Sequence, residues 1–215
     1  MRSLSLAGPM PLTILCIGAH SDDIEIGCGG TILRLRQEYP GCRVYWIVLS
    51  GEGERADEAR RGAELFAQDG IVGGPRLHSF RDGFMPYTGA QVKDELEKLK
   101  QEVSPDLILT TSRGDSHQDH RLLGELTWNT FRNHLILEYE IPKYDGDLGN
   151  PSFFVPLTKV DCERKIEYLM KAFSSQHSKR WFEPETFRSL LRLRGMECNA
   201  ASGYAEAFYC RKVVL

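Results

Sequence analysis

Long apolar runs are missing from this chain. Its hydrophobic stretches are six to eight residues long, far short of the ~20 that a membrane-spanning helix needs. The first ten residues carry one Arg and a brief Leu-Ser-Leu-Ala patch, too short for the core of a secretory signal. Met1 or Met10 can serve as the start, with residues 1–10 as a loose extension. C-x-x-C pairs are absent as well. Cys16, Cys28, Cys42, Cys162, Cys198 and Cys210 are scattered along the chain, a pattern expected of reduced thiols in a cytoplasmic protein. There is no basic block and the net charge is −3, so neither nucleic acid nor an anionic membrane is an expected partner. Internal repeats and low-complexity tracts are absent too. What remains is ordinary globular composition in a chain of 215 residues, long enough for one sizeable core and expected to form a single domain over 1–215.

Apolar runs rich in β-branched and aromatic residues alternate with amphipathic segments. Strands are predicted at Leu12–Gly18, Arg43–Ser50, Arg76–Phe80, Asp106–Thr111, His134–Tyr139, Phe153–Leu157 and Ala205–Leu215. Helices are predicted between most of them, and Glu140–Ser152, rich in Pro, Gly and Asp, reads as a long loop suited to specificity. The alternation predicts an α/β, Rossmann-like, doubly wound fold: a mostly parallel sheet with helices on both faces. The expected strand order is 3-2-1-4-5 plus extra strands. That order sets the first and fourth strands side by side, with their C-terminal ends at the topological switch point, where ligands bind in such folds.

Two polar clusters follow those two strands. The first is His20-Ser-Asp22-Asp23, the second His117-Gln-Asp119-His120, about a hundred residues later. Imidazoles with a carboxylate are a natural donor set for Zn²⁺. A carboxylate that is not a ligand can take a proton from water, and an imidazole opposite can stabilise an oxyanion and protonate a leaving amine. The parts suit metal-assisted hydrolysis of an amide or ester. Two plainer readings compete. Asp22 and Asp23 also suit the cap of the following helix. The glycines of Gly27-Cys28-Gly29-Gly30 invite a dinucleotide site, but they do not match G-x-G-x-x-G, and two acids stand where a pyrophosphate would approach.

Ala19-His-Ser-Asp-Asp-Ile-Glu-Ile-Gly-Cys-Gly-Gly-Thr31 and His117-Gln-Asp-His120 together resemble the paired signatures of the PIG-L/LmbE-like zinc de-N-acetylases. Supporting similarities are Leu49-Ser-Gly-Glu52, Arg55-Ala-Asp-Glu58-Ala59, Phe80-Arg-Asp82-Gly83, Phe173-Ser-Ser-Gln176 and Gly203-Tyr-Ala-Glu206-Ala-Phe208. The resemblance implies a metal-dependent hydrolase that removes the acetyl group from an N-acetylglucosamine-type sugar or conjugate. It implies zinc held by His20, Asp23 and His120, although Fe²⁺ or Co²⁺ also suits these donors. Asp22 is implied as the general base and His117 as oxyanion stabiliser and general acid. Asp119 is implied as the partner that orients a nearby imidazole and raises its pKa. Arg55 and Asp82 are implied as sugar-binding residues, Glu58 as a partner of Arg55 or of its helix, and Tyr204 and Glu206 as structural.

The chain departs from the family pattern in several places. Ser21 and Gln118 stand where Pro is common, Ile24 precedes Glu25 where an acid often follows the Asp pair, and Phe66-Ala67 replaces Leu-Gly. None removes a proposed ligand; together they leave the acyl-sugar open. Two other functions fit the same residues: an amidase acting on a non-sugar N-acyl compound, and a non-catalytic metal- or sugar-binding module. Retention of both acid/base candidates argues against the second. A homo-oligomer is compatible with the sequence, which does not report oligomeric state.

Overall fold

Strand β1 (Thr13–His20) is buried along nearly its whole length, and it lies inside the sheet between β2 (Arg43–Ser50) and β4 (Leu107–Thr111). An almost unbroken apolar strand requires such a place, because both of its faces must be covered. The computed structural model describes Leu6 and residues 11–214. The expected loose extension over residues 1–10, Leu6 apart, and the choice between Met1 and Met10 lie outside the described residues.

The remaining strands are β3 (Arg76–Leu77), β5 (Leu135–Tyr139), β6 (Phe153–Leu157) and β7 (Tyr204–Cys210). Sheet order is β3-β2-β1-β4-β5-β7-β6. Strands β3, β2, β1, β4 and β5 pair in parallel, and β7 runs antiparallel to both β5 and β6. The 3-2-1-4-5 core and the extra strands are therefore both present. The last strand inserts inside the sheet and leaves β6 at the edge, where Pro156 can sit without costing a ladder hydrogen bond.

Two stretches differ from the sequence expectation. The third strand shortens to two residues because the chain then crosses the C-terminal end of β2, with the His78 and Phe80 amides donating to the Val48 and Leu49 carbonyls. That crossing carries the Phe80–Gly83 turn toward the ends of β1 and β4. The final strand ends at Cys210, just before the charged pair Arg211-Lys212.

Helices α1 (Asp23–Glu38), α2 (Gly53–Ala67), α5 (Lys159–Ala172) and α6 (Pro184–Glu197) cover one face of the sheet; α3 (Gly89–Glu102) and α4 (Gln118–Thr130) cover the other. The period-2 alternation of a strand is visible in β1. Ile14 and Cys16 join the first core, whereas Leu15, Ile17 and Ala19 join the second. Helix α1 packs very closely. A Cβ on Gly27 would lie 2.1 Å from the ring of Tyr139, whose hydroxyl donates to the Ile17 carbonyl. Glu206 accepts from the Gly30 and Thr31 amides of α1, and its buried partner Lys165 donates to the Ile26 carbonyl. The six cysteines are free thiols. No helix among the described residues is long and apolar enough to cross a membrane.

Candidate active site

His20 is the last residue of β1, and Asp23 opens α1. The tight strand-to-helix turn lets Asp23 Oδ2 accept the His20 amide at 2.8 Å, fixing the corner locally. After β4 the chain makes a second corner, and His117 caps α4 by accepting the Asp119 amide on Nδ1 at 3.3 Å. Because β1 and β4 pair directly, the two corners meet. His20 Nδ1 lies 3.1 Å from His120 Nε2. Asp23 completes a triangle, with Oδ1 3.3 Å from His120 Nε2 and Oδ2 3.6 Å from His20 Nδ1.

The outward nitrogens decide what the inward ones can do. His20 Nε2 faces Asp119 Oδ2 at 3.2 Å and Asp82 Oδ1 at 3.0 Å; His120 Nδ1 faces Asp115 Oδ2 at 2.9 Å. Ionised carboxylates only accept, so each outward nitrogen carries a hydrogen. In neutral rings, both inward nitrogens then present lone pairs to each other and to the Asp23 carboxylate. Such an arrangement calls for a cation in the middle, either protons or a metal. Donors bound tetrahedrally to one zinc at ~2.0–2.2 Å are about 3.3–3.6 Å apart by geometry. The two imidazole nitrogens lie near that separation, the Asp23 carboxylate turns one oxygen to each, and His117 brings a third imidazole close by. The residues therefore fit a small divalent metal.

The electrostatics agree. Burial opposes charge on His20, yet Asp23, Asp119 and Asp82 hold its pKa well above the ordinary value. Burial likewise opposes charge on His120, but Asp23 and Asp115 raise it to about 9. Asp23 is buried, which favours its neutral form, but the two imidazoles pull it well below the usual carboxylate range. His117 is held below its ordinary value, first by burial and then by His120 and His20. With Nδ1 occupied by a backbone donor, the neutral ring keeps its hydrogen on Nε2, so it can donate into the cleft without charge.

Asp22 stands apart from the triangle. Its Oδ1 pairs with Arg55 Nη2 at 2.8 Å, and Arg55 Nη1 pairs with Glu58 at 2.8 Å. Glu58 in turn accepts from the amide and hydroxyl of Ser175. Asp119 reaches His20 rather than His117, and it also accepts the Gly83 and Met85 amides. Gly83 has φ +76°, a left-handed turn suited to glycine, which helps present Asp82. The Asp82 side chain is 73% exposed while touching His20. Glu25 does not join the cluster. It is buried beneath α2, where a Cβ on Gly62 would strike it, and burial pushes its carboxyl well above the usual range.

All eight sequence candidates thus gather around one corner of the fold, and seven line a cleft of about 720 Å³ that also takes in Lys143, Lys179 and Trp181. Asp119 is the exception, lying fully buried behind His20. Two participants escaped the sequence reading. Asp115 lies two residues before His117, so an extra acid beside the second motif was its available signal. Lys143 sits in the long loop and had none.

Fold and site together define an α/β protein with a metal-binding type of His/Asp cluster at the switch point of its sheet. The chain belongs to the PIG-L family (GlcNAc-PI de-N-acetylase), whose sequence pattern matches residues 15–131. It is similar to the diacetylchitobiose deacetylase of Thermococcus kodakarensis, 31% identical over 133 residues that cover 53% of this chain and 46% of the relative. The matched stretch thus spans about half the length of that relative. Among solved structures, N,N'-diacetylchitobiose deacetylase from Pyrococcus horikoshii superposes with a TM-score of 0.73 at 22% identity, covering 93% of this chain and 83% of that one. GalB, the 4-carboxy-2-hydroxymuconate hydratase of Pseudomonas putida KT2440, superposes at 0.67 with 18% identity, covering 95% and 98%. The same fold therefore carries reactions other than deacetylation, and the reaction must be argued from the site.

Proposed function

We propose that this chain is a metal-dependent hydrolase that removes the N-acetyl group from an N-acetylglucosamine-type sugar or sugar conjugate. The observation that carries the reading is the triangle of His20 Nδ1, His120 Nε2 and Asp23, with Asp22 beside it in the same open cleft. His20, Asp23 and His120 are the proposed ligands, with Zn²⁺ the metal that best suits two imidazoles and a carboxylate, and Fe²⁺ or Co²⁺ as substitutes. When bound, such an ion polarises a carbonyl and lowers the pKa of water.

The chain's own residues supply the rest. Asp22, oriented by Arg55, accepts the proton of the attacking water. His117 donates Nε2–H to the oxyanion that forms on the acetyl carbonyl. As the carbon–nitrogen bond breaks, the departing nitrogen takes the proton that Asp22 removed from water, while the neutral His117 ring keeps Nε2–H on the carbonyl oxygen. The general-acid role implied for His117 would require an imidazolium, which burial and the neighbouring imidazoles disfavour. The products are acetate and a free amine. Arg55 and Asp82 line the cleft and are proposed to hold sugar hydroxyls, while Asp119 fixes the His20 ring.

The test is amine release from a panel of N-acetylated sugars and non-sugar N-acyl amines, run with chelator-treated and Zn²⁺-reloaded protein. Metal-dependent release from N-acetylhexosamine conjugates is expected. Release only from non-sugar acyl amines would replace the sugar reading with the amidase one, and metal binding without any turnover would favour a binding module.

A further inference from the structure

The long loop between β5 and β6 touches the proposed metal centre through a chain of three side chains. Lys143 Nζ lies 2.9 Å from Asp115 Oδ1 and 2.8 Å from Asp147 Oδ2. Asp115 Oδ1 also accepts the His117 amide at 2.7 Å, and its Oδ2 faces His120 Nδ1 at 2.9 Å. Asp147 accepts the Ser116 amide at 2.6 Å, so the loop grips the second corner by backbone and side chain alike. Lys143 is only 11% exposed yet borders the cleft.

We propose that Lys143 is a positioning residue for the metal centre, holding Asp115 in the one rotamer that orients His120 toward His20 and Asp23. The reasoning is geometric. Asp115 has two oxygens and three donors, and the backbone donor alone leaves its carboxylate free to swing about that bond. The ammonium pins Oδ1, so Oδ2 remains on His120 Nδ1 and the ring keeps its Nε2 lone pair turned inward. Outer partners of this kind matter to metal sites by ~10–100-fold in affinity or activity. The ammonium also separates two carboxylates that converge on it. Without it, Asp115 and Asp147 would be left facing each other across a small partly buried space, and repulsion would drive one of them away. The loop that borders the cleft and a proposed metal ligand are by this account one mechanical unit. The inference rests on the metal reading above.

Zn²⁺ affinity, measured by competition with a chromophoric chelator, separates the two claims because it needs no substrate. Lys143→Met is expected to bind Zn²⁺ about 10–100-fold more weakly, with Lys143→Arg restoring most of the loss. Asp115→Asn should weaken binding similarly, and the Lys143→Met/Asp115→Asn double variant should add little to either. Asp147→Asn, which loosens the strap but keeps the ammonium, should show a smaller loss in the same direction and serves if Lys143→Met does not fold. At saturating Zn²⁺ the Lys143→Met defect should fall on kcat more than KM. Unchanged Zn²⁺ affinity in Lys143→Met, or in Asp147→Asn where that variant stands in, overturns the proposal. So does a defect confined to KM, which would make Lys143 a substrate contact. A wild-type protein that binds no Zn²⁺ removes the metal reading and this inference with it.

Discussion

The two corners that build the cleft differ in what closes their proposed ligand geometry. The first, from His20 to Asp23, is closed by a local tie, the His20 amide on Asp23, and is buttressed by Tyr139 against Gly27 and by Arg55 on Asp22. The second, from Asp115 to His120, depends on distant partners. Asp119 is tied to the Gly83 and Met85 amides and to His20, and Asp115 to Lys143. The local amide tie of the first corner depends on no distant side chain. A corner held from afar should respond to substitutions thirty or a hundred residues away.

The largest expected effect tests the division of labour inside the first corner. Asp22→Ala should lower kcat by about 10²–10⁴-fold, the range for removal of a positioned acid or base, while elemental analysis still finds the metal. Loss of metal in that variant would make Asp22 a ligand. For the second corner, Asp119→Ala leaves His20 Nε2 without its buried acceptor and should cost ~10–100-fold in Zn²⁺ affinity. An effect on stability alone would reduce Asp119 to a brace for the Gly83 turn.

Packing tests the first corner against a control position. Gly27→Ala drives a methyl into the Tyr139 ring and should destabilise by ~1–3 kcal/mol in chemical denaturation. Gly51→Ala, which meets Leu77 only at ordinary contact distance of 3.5 Å, should lie within about 0.5 kcal/mol of wild type. Equal effects would remove the close helix–sheet contact as the source of rigidity in the first corner.

The smallest effect is one of pH. The folded-state pKa values of His20 and His120 are raised, so their contribution to the stability of metal-free protein is full below the ordinary value of 6.5 and is lost as pH climbs through the folded value, about 9 for His120. Melting temperatures of chelator-treated protein should fall from pH 6 to pH 9.5 more steeply than those of the Zn²⁺-loaded form, since the metal takes over from the protons. Parallel slopes would contradict the shared role of proton and metal in the triangle.

What the sequence made legible follows the same local-versus-distant divide. Strand and helix periodicity reveals the 3-2-1-4-5 core, and that order alone places His20 beside His120. The motif residues were readable because each corner's chemistry lies within six residues of chain. Asp115 had a neighbour's clue, but its partner Lys143 did not, since a lysine in a Pro- and Gly-rich loop resembles any solvated surface lysine. The attachment of Asp119 to His20 rather than His117 also depends on where the Gly83 turn lands. The insertion of β7 between β5 and β6 is likewise a choice among packings that an apolar strand pattern leaves open.

The most direct question is whether His20, Asp23 and His120 hold one metal with Asp22 left free beside it. Zn²⁺ titration of metal-free wild type, His120→Ala and Asp22→Ala, followed by calorimetry, puts this to the test. One site per chain in wild type and Asp22→Ala, and none in His120→Ala, is the predicted result. Full binding in His120→Ala, or none in wild type, would contradict it.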